Sequence, residues 1–462
     1  MSGFKDECGV IGIWNHEDAS RLAYLGLYAM QHRGQESAGI VSYDHKTLLQ
    51  HKGLGLVGDV FSESTLNYLK GNVAIGHVRY STTGQNLLAN AQPLTAELYN
   101  NFISVAHNGN IVNASLIRKN LQKSGAIFQG SNDTECVLHL MSKDQNSDFV
   151  ASLQENLSQL EGAFSFVILN SEAMYAVRDN YGFRPLVLGE KVNDAGDISY
   201  VVASETCAFD LIGAKFIREI KPGEICKISK AGLETFSLTT EKKVLAQCVF
   251  EHVYFSRPDS IVYGKSVYET RKNFGKWLAT ENKVEADVVI PVPDSGLPSA
   301  IGFSNQSKIP FELGIIRNQY VGRTFIQPVQ TIRSFGVKIK LNPQQAIIKD
   351  KRVIIVDDSL VRGTTSKKII ALVRQAGAKE VHLRIASPPT IGPCFYGVDT
   401  PQKSHLIAAQ HNIDEIRNFI EADSLSYLSL DGMFASLNET YASQKSYCAA
   451  CFDGKYPTPL FE

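Results

Sequence analysis

The chain has 462 residues, which at ~150 residues per domain predicts roughly two to four domains. Lys and Arg number 46 and Asp and Glu number 47, so the formal charge of −1 gives no overall reason to expect a nucleic acid or an anionic membrane as partner. Hydrophobic residues make up 44%, enough for full cores. Because no apolar run approaches the ~18 residues of a membrane helix and the start lacks a secretory pattern, we predict a cytoplasmic protein.

The first half of the chain is rich in short strand-like segments separated by glycines and turns. From Cys8 to about Lys243 apolar and polar residues alternate, as in GVIGIW, VAIGHVRYS and AFSFVIL. This alternation is typical of antiparallel sheets. Helical periodicity interrupts it at 19–31 and 133–141. We therefore predict an α+β domain of layered antiparallel sheets at 8–243.

In the second half, helices and strands alternate. Helical patterns at 267–280, 297–304 and 365–375 are separated by the strand-like segments ADVVIPV, KRVIIVDDS and EVHLRIASPP. Continuous apolar strands joined by helices indicate a parallel sheet covered on both faces. We therefore predict an α/β domain at 244–420 and a helical C-terminal tail at 421–462.

The segment VIIVDDSLVRGTT, residues 353–365, combines a strand, two acids and a glycine loop. The strand places Asp357 and Asp358 at its carboxyl end, where open α/β sheets bind ligands. Backbone N–H groups at the start of the following helix can cradle a phosphate. This combination suits a sugar phosphate, with the acids binding ribose hydroxyls or Mg²⁺ and the loop binding the 5′-phosphate.

This segment resembles the phosphoribosyl diphosphate (PRPP) signature of type I phosphoribosyltransferases. PVPDSG, residues 291–296, is similar to the diphosphate loop of that family, and residues 317–333 are similar to its flexible closing loop. The resemblance implies one Mg²⁺ at Ser295, Asp357 and Asp358. The PRPP-binding residues that it implies are Asp357, Asp358, Ser359, Arg362, Gly363, Thr364, Thr365, Arg323, Arg333 and Lys338.

Cys8 begins the first predicted strand. A thiol nucleophile needs a base. If residues 1–7 were removed, the α-amine of Cys8 would lie beside its own sulfur, and an α-amine pKa of ~7.7–8.0 suits proton transfer at neutral pH. Taken alone, a cysteine of this kind is more often a small buried apolar residue.

Four motifs that follow Cys8 bear on this choice. They are QHRGQESAGI (31–40), GHVRYSTTG (76–84), AHNGNIVN (106–113) and SNDTE (131–135). In this order they resemble the glutaminase domain of N-terminal-nucleophile amidotransferases, and the resemblance implies that Cys8 is the nucleophile.

The same resemblance implies the glutamine-binding residues. Arg79 would hold the α-carboxylate of glutamine, which a guanidinium grips with two hydrogen bonds, and Asp133 would hold its α-amine. Asn108 and Gly109 would form the oxyanion hole, because two N–H groups can stabilise a tetrahedral oxyanion. His77 and His107 are interpreted as structural residues.

The four remaining motif cysteines are Cys248, Cys394, Cys448 and Cys451. Four thiolates bind either structural zinc or a [4Fe–4S] cluster, and the residues alone do not decide between them. CVFEHVYFSRPDS, PCFYGVDT and CAACFDGKYP are, however, similar to the cluster-ligating segments of iron–sulfur amidotransferases. The resemblance implies one [4Fe–4S] cluster and a short cleavable leader at residues 1–7. We predict that Cys136, Cys207 and Cys226 are core residues.

Taken together, the two halves resemble the glutamine PRPP amidotransferase family. The resemblance implies glutamine and PRPP as substrates, purine nucleotides as feedback inhibitors, and a homotetramer or homodimer. A PRPP-sensing regulator should add a DNA-binding module and a basic surface. A different amidotransferase should carry a sugar-isomerase or flavin module in place of VIIVDDSLVRGTT. The sequence indicates neither feature.

Overall fold

The computed structural model describes residues 8–80, 87–99, 101–144, 148–194, 196–240, 243–318, 341–400, 402–443 and 446–460. The predicted leader at 1–7 and the predicted closing-loop cations Arg323, Arg333 and Lys338 lie outside these ranges. No described helix is both long and apolar enough to cross a membrane.

The first half contains thirteen described strands arranged in two antiparallel sheets. They are β1 (Gly9–Trp14), β2 (Ser37–Tyr43), β3 (Leu48–Leu54), β4 (Val73–Arg79), β5 (Leu94–Leu98), β6 (Asn101–Ile111), β7 (Gly162–Leu169), β8 (Ala173–Arg178), β9 (Val187–Val192), β10 (Ile198–Ala203), β11 (Lys215–Glu219), β12 (Glu224–Ser229) and β13 (Gly232–Ser237). One sheet has the order β11-β9-β10-β1-β4-β2-β3 and the other β13-β12-β8-β7-β6-β5.

The two antiparallel sheets pack face to face. Val10 and Ile75 of the first sheet share a buried cluster with Val167 and Met174 of the second. Helices cover the outer faces, and these are Ala19–Ala29, Val57–Val60, Glu63–Tyr68, Ala114–Lys123, Glu135–Lys143, Phe149–Leu157 and Cys207–Ile212. The predicted layered antiparallel architecture is confirmed.

The second half is organised around a parallel sheet. Its strands are β14 (Gln247–Cys248), β15 (Ile261–Val262), β16 (Lys265–Ser266), β17 (Val288–Pro291), β18 (Ile315–Arg317), β19 (Leu341–Pro343), β20 (Arg352–Asp357), β21 (Glu380–Ile385), β22 (Ser424–Tyr427) and β23 (Tyr447–Cys448). The four-stranded sheet has the order β17-β20-β21-β22, with every pair parallel.

Helices cover both faces of this sheet, as predicted. Ile354 and Val356 pack into one buried cluster, whereas Val353 and Ile355 pack into another. The helices of this half are Val267–Glu281, Leu297–Ser307, Gln345–Ile348, Thr364–Gln375, Ile407–Gln410, Ile413–Ile420, Leu430–Ser436 and Ala450–Asp453, with a π-helix at Glu251–Phe255.

The C-terminal segment differs from the helical tail predicted at 421–462. It contains β22, which pairs in parallel with β21 and so completes the sheet of the preceding segment. It also contains β23, which pairs with β14 from before that sheet. At four and two residues, these strands are too short to give a clear alternating pattern in the sequence.

Candidate active sites

Cys8 directly precedes β1, at one end of the first antiparallel sheet. Antiparallel pairing sets Gly9 opposite Val78 and so brings Cys8 near the end of β4, where Arg79 lies. Both side chains are buried. The Cys8 thiol donates to the carbonyl oxygen of Tyr80 at 3.6 Å. The structure therefore brings together the predicted nucleophile and the predicted carboxylate-binding residue.

Asn108 and Gly109 lie next to each other on β6. The Asn108 side-chain N–H₂ group is buried and donates to no acceptor among the described residues. Such a donor costs about 1–3 kcal/mol unless something pairs with it. Gly109 has φ +145°, and a Cβ there would lie 2.1 Å from the carbonyl oxygen of Ala163. The strand therefore requires glycine here, and it offers an unpaired amide donor of the kind an oxyanion hole uses.

Asp133 is buried beside the same strand. Its Oδ2 accepts from the backbone N–H of Ile111 at 2.8 Å, and its Oδ1 lies 3.6 Å from Nδ1 of His107. Burial works to raise the pKa of Asp133, but His107 and the Ile111 N–H outweigh burial and hold the pKa below its usual value. The side chain is therefore a carboxylate at neutral pH and can hold an ammonium group.

His77 and His107 form part of the sheet packing. His77 Nε2 donates to the carbonyl oxygen of His107 at 2.9 Å. Burial lowers the pKa of His77 to about 3, so this imidazole is neutral at physiological pH. His107 Nδ1 lies 3.0 Å from the hydroxyl of Thr134. These contacts favour the structural interpretation of both histidines.

The second candidate site lies at the carboxyl edge of the parallel sheet. Strands β17 and β20 pair in register, so the loops that follow Pro291 and Asp357 leave the same edge. The Asp358 N–H donates to Asp357 Oδ1 at 3.0 Å, and the Ser359 hydroxyl donates to Asp358 Oδ2 at 2.5 Å. Burial and the neighbouring Asp358 raise the pKa of Asp357 well above its usual value. A bound cation or hydroxyl donors would stabilise two carboxylates that lie this close together.

A glycine loop completes this edge of the sheet. Gly363 has φ +71° and immediately precedes the helix Thr364–Gln375. Nε of Arg362 is buried and has no acceptor among the described residues, so it is available to an anionic ligand. Ser295 lies in the neighbouring loop, where a Cβ at Gly296 would come within 2.4 Å of the Val356 carbonyl oxygen. The close approach of this loop to the end of β20 places Ser295 near the same edge as Asp357.

Arg271 is buried close enough to this edge to interact with Asp358, and sequence reasoning did not find it. Its Nε donates to the carbonyl oxygen of His252 and its Nη2 to that of Ser256, both at 2.8 Å. Burial lowers the pKa of Arg271 to about 10, against the opposing effect of the Asp358 carboxylate. Its signal in the sequence was a lone Arg on the otherwise apolar face of the helix Val267–Glu281.

The four motif cysteines line one small cavity at the junction of the two halves. The β14–β23 pairing sets Cys248 directly opposite Cys448. Cys394 and Cys451 line the same cavity, together with Phe183, Phe250, Tyr396, Val398, Thr400 and Ala450. Burial raises the pKa of Cys448 to about 12, and burial together with three neighbouring thiols raises the pKa of Cys451 well above its usual value. Within the described residues, however, no three His, Cys, Asp or Glu side chains converge on a point where a single metal ion could bind.

A buried ion-pair network joins the two halves, and sequence reasoning missed it as well. Arg33 pairs with Glu205 and, at 2.5 Å, with Glu251 of the π-helix, while Arg184 lies 3.3 Å from Glu251. All four of these side chains are fully buried. The available signal was Glu251 itself, a lone acid inside the apolar run CVFEHVYF.

Comparisons with known proteins match each half of the chain to a domain family. Residues 77–210 match the glutamine amidotransferase domain family, and residues 267–386 match the phosphoribosyl transferase domain family. The chain is 51% identical over 454 residues to amidophosphoribosyltransferase 1, chloroplastic, of Arabidopsis thaliana, covering 98% of this chain and 79% of that protein. It is 47% identical over 466 residues to amidophosphoribosyltransferase of Bacillus subtilis, covering 100% of this chain and 96% of that one.

Comparison of the three-dimensional structure with solved structures leads to the same family. The solved structure of glutamine PRPP amidotransferase from B. subtilis, complexed with ADP and GMP, superimposes with a TM-score of 0.93 at 47% identity and covers 98% of each chain. The predicted combination of an N-terminal-nucleophile glutaminase fold and a phosphoribosyltransferase fold is thus confirmed. This chain belongs to the amidophosphoribosyltransferase family, and its activity is the glutamine-dependent first step of purine biosynthesis.

Proposed function

We propose that the residues described above divide one reaction between the two halves: glutamine, PRPP and water give 5-phosphoribosylamine, glutamate and diphosphate. The observation that carries this assignment is the buried Asn108 amide, which has no acceptor among the described residues and lies on the strand beside Asp133, in a chain whose second half offers the Asp357–Asp358 pair. We place the glutaminase at 8–243, the phosphoribosyltransferase at 244–420 and the remaining cysteine-bearing segment at 421–462.

In the first half, Cys8 is the nucleophile. With residues 1–7 removed, its α-amine takes the thiol proton while Sγ bonds to the side-chain amide carbon of glutamine, and the carbonyl electron pair moves to oxygen. Asn108 and Gly109 donate to that oxyanion. The ammonium returns its proton to the leaving nitrogen as the C–N bond breaks, which releases ammonia and leaves a thioester. Water then adds to the thioester, and cleavage of the S–C bond gives glutamate.

In the second half, Asp357 and Asp358 hold the ribose hydroxyls, and Ser359, Gly363, Thr364 and Thr365 cradle the 5′-phosphate. Arg362 is placed to donate to the substrate, and Arg323, Arg333 and Lys338 are the proposed cations of the closing loop. Ammonia forms a bond to C1 of the ribose as the bond to the diphosphate oxygen breaks. The carboxylates and Ser295 fit Mg²⁺, which prefers oxygen ligands and, when bound, offsets charge on the leaving diphosphate.

We further propose that the cysteine cavity holds one [4Fe–4S] cluster. Four thiols that line one common cavity can supply the four thiolate ligands that either a [4Fe–4S] cluster or zinc takes, and the resemblance of the cysteine segments to those of iron–sulfur amidotransferases favours the cluster. Because burial raises the pKa of the Cys448 and Cys451 thiols, binding of either group would release protons from them. Iron, sulfide and zinc analysis of anaerobically purified protein decides between them, with Cys451→Ser as the variant expected to lose iron. Zinc without sulfide would contradict the cluster.

The assembly and its regulation are proposed from the family. The B. subtilis relative was solved with ADP and GMP, and we propose purine nucleotides as feedback inhibitors of this chain. We also propose a cytoplasmic homotetramer or homodimer with neither nucleic acid nor membrane as partner. An enclosed passage should carry ammonia between the sites, because ammonia that reaches water is protonated and lost as a nucleophile. We propose that the closing loop forms this passage only when PRPP is bound, so that PRPP stimulates the glutaminase.

The assay that tests the whole assignment compares wild type with Cys8→Ala, using glutamine or ammonia as nitrogen donor and with or without PRPP. We expect Cys8→Ala to lose glutamine-dependent synthesis and keep ammonia-dependent synthesis. Retained use of glutamine by this variant would refute Cys8 as nucleophile. Glutaminase activity that PRPP leaves unchanged would refute the coupling. Intact-mass measurement of the wild type tests removal of residues 1–7.

A further inference from the structure

A loop of the second half lies against the strand that carries the glutaminase amide donors. This loop, residues 394–397, follows β21 and begins with Cys394 of the cysteine cavity. Gly397 has φ +104°, and a Cβ there would lie 3.0 Å from both Cα and the carbonyl carbon of Gly109. The two backbones therefore meet with no room for a side chain between them.

Several contacts fix the loop in this position. Asn110, the residue after Gly109, donates from its side-chain amide to the carbonyl oxygen of Phe395 at 2.9 Å. The fully buried Arg184 donates to the carbonyl oxygen of Tyr396 from Nε at 2.9 Å and from Nη2 at 2.6 Å. Both donors belong to the first half, so the loop is held by the domain whose strand it contacts.

The loop is also tied to the cysteine cavity. The backbone N–H of Tyr396 donates to Sγ of Cys394 at 3.3 Å. The ring of Tyr396 stacks on that of Phe183, with centroids 4.2 Å apart and planes 16° apart. Both rings line the cavity. A rigid chain of contacts therefore leads from the cavity wall to the backbone of Gly109.

We infer that Gly397 is a positioning residue for the oxyanion hole: the 394–397 loop, contributed by the phosphoribosyltransferase half, sets the backbone of Gly109 and with it the donors that face the oxyanion. This rests on the proposed function of Asn108 and Gly109. An oxyanion hole acts through donors held at the position of an atom that is charged only during the reaction, so small displacements reduce kcat more than they reduce substrate binding. The first half of the chain alone would lack this support.

The test uses Gly397→Ala in the full-length, anaerobically purified enzyme. The added methyl group must displace the Gly109 backbone, and we expect the glutaminase kcat to fall about 10- to 100-fold while KM for glutamine changes less than about threefold. Ammonia-dependent synthesis should be unchanged. The γ-aldehyde of glutamate, which adds to a thiol and leaves an oxygen at the oxyanion position, should bind more weakly by the same factor as kcat, whereas glutamate should bind as before.

Gly454→Ala is the matched control. Gly454 also has a positive φ, +72°, and lies on the cysteine-bearing segment, but a Cβ there meets no described atom within 4 Å. Alanine is strained at both positions, although less at +72°, which is close to the ordinary left-handed region, and Gly454 has no contact with Gly109. If Gly397→Ala matches Gly454→Ala in glutaminase kcat and aldehyde binding, or if it loses ammonia-dependent synthesis in proportion, the inference is wrong.

A second variant keeps the inference testable if Gly397→Ala does not fold. Asn110→Ala removes the hydrogen bond to Phe395 without backbone strain, and we expect the same pattern with a smaller fall of about 3- to 10-fold. An unchanged kcat and aldehyde affinity in Asn110→Ala would overturn the inference even if Gly397→Ala failed to fold. Asn108→Ala, measured in the same assays, tests the role of Asn108 in the oxyanion hole separately from the role of Gly397 in positioning it. If Asn108→Ala has normal aldehyde binding, the oxyanion assignment itself fails.

Discussion

Arg79, Asn108 and Gly109 of the glutaminase site lie on strands of two packed sheets, whereas the proposed phosphoribosyl residues lie in or directly beside loops at one edge of a four-stranded sheet. Arg79 pairs with Ser37 of β2, Asn108 pairs with Ser165 of β7, and Cys8 directly precedes Gly9, which pairs with Val78 of β4. Asp358 and Gly363 follow a strand and depend on loop geometry. Covalent catalysis needs donors fixed to within a fraction of an ångström, while a site that admits and releases a large anion needs segments that can move. The two sites should therefore respond differently to substitution.

The largest expected effect comes from Asn108→Ala, which removes one oxyanion donor from the glutaminase site, here called the strand-built site because Asn108 lies on β6. We expect the glutaminase kcat to fall about 10²- to 10³-fold, the usual cost of deleting such a donor. Removal should not destabilise the fold, because the Asn108 side-chain N–H₂ is unpaired among the described residues. Steady-state glutaminase assays and urea unfolding measure both quantities.

The control for this variant is Asn120→Ala, on the exposed face of the helix Ala114–Lys123. It should leave both quantities unchanged. If Asn108→Ala lost ammonia-dependent synthesis to the same extent, the substitution would affect both sites. The two sites would then not respond differently to substitution, contrary to our expectation.

The second-largest expected effect is on PRPP use at the phosphoribosyl site, here called the loop-built site because Asp358 and Gly363 lie on the loop after β20. Asp358→Asn removes the charge from a buried carboxylate, and the loss of charge-assisted hydrogen bonds to ribose hydroxyls costs about 1.5–3 kcal/mol. We expect kcat/KM for PRPP to fall about 10- to 100-fold with either nitrogen donor. Initial rates at varied PRPP measure this effect.

Asp350→Asn makes the same change near the other end of β20, at an exposed position whose φ of +61° asparagine tolerates. It should have no effect. A loss confined to glutamine-dependent synthesis in Asp358→Asn would place Asp358 in the coupling between the sites rather than in PRPP binding.

The same contrast explains how much of the molecule could be predicted from its sequence. Strand and loop motifs are local, so the sequence was sufficient to predict antiparallel sheets in the first half and a parallel sheet in the second, and to mark Asp357 and Asp358 as candidate ligand-binding residues. The helices predicted at 267–280 and 365–375 lie within one residue of the observed Val267–Glu281 and Thr364–Gln375. The resemblance to known families then supplied the roles of the residues.

What the sequence could not predict depends on contacts between distant segments. The pair Arg33–Glu251 spans 218 positions, and the contact of Gly397 with Gly109 spans almost 300. No periodicity connects such residues, because each follows the pattern of its own element. The strand β22 was missed for a related reason: four residues added to the edge of a sheet are recognised by their partner strand rather than by their own sequence.

The third effect is a change in substrate binding at the strand-built site. Asp133 is held as a carboxylate by His107 and by the Ile111 N–H, which outweigh its burial. Asp133→Asn removes the charge that would pair with the glutamine α-ammonium, and we expect KM for glutamine to rise about 10-fold or more with a smaller change in kcat. Glutaminase kinetics, with the exposed Asp210→Asn as control, measure the change. A fall in kcat with unchanged KM would assign Asp133 to the chemical step instead.

The smallest effect is on stability and should leave the phosphoribosyl site untouched. Burial lowers the pKa of His77 to about 3 in the folded protein, whereas an unfolded histidine has a pKa of about 6.5. Between these values the unfolded state binds more protons, so the stability contributed by a neutral His77 is complete above pH 6.5 and is lost as the pH falls toward 3. Gln at this position can keep the Nε2 hydrogen bond to the His107 carbonyl without titrating.

We therefore expect His77→Gln to flatten the decline in unfolding free energy between about pH 6.5 and pH 4, by an amount on the order of a few kcal/mol. Urea unfolding at several pH values measures this slope. His411→Gln, at an exposed position on the surface of the second half, should leave the slope unchanged. If His77→Gln declined as steeply as wild type, acid sensitivity would have to arise elsewhere. The next group to replace would be His252 at the junction, whose pKa burial also lowers to about 3, and the weak point in acid would then lie between the two halves rather than within the glutaminase sheets.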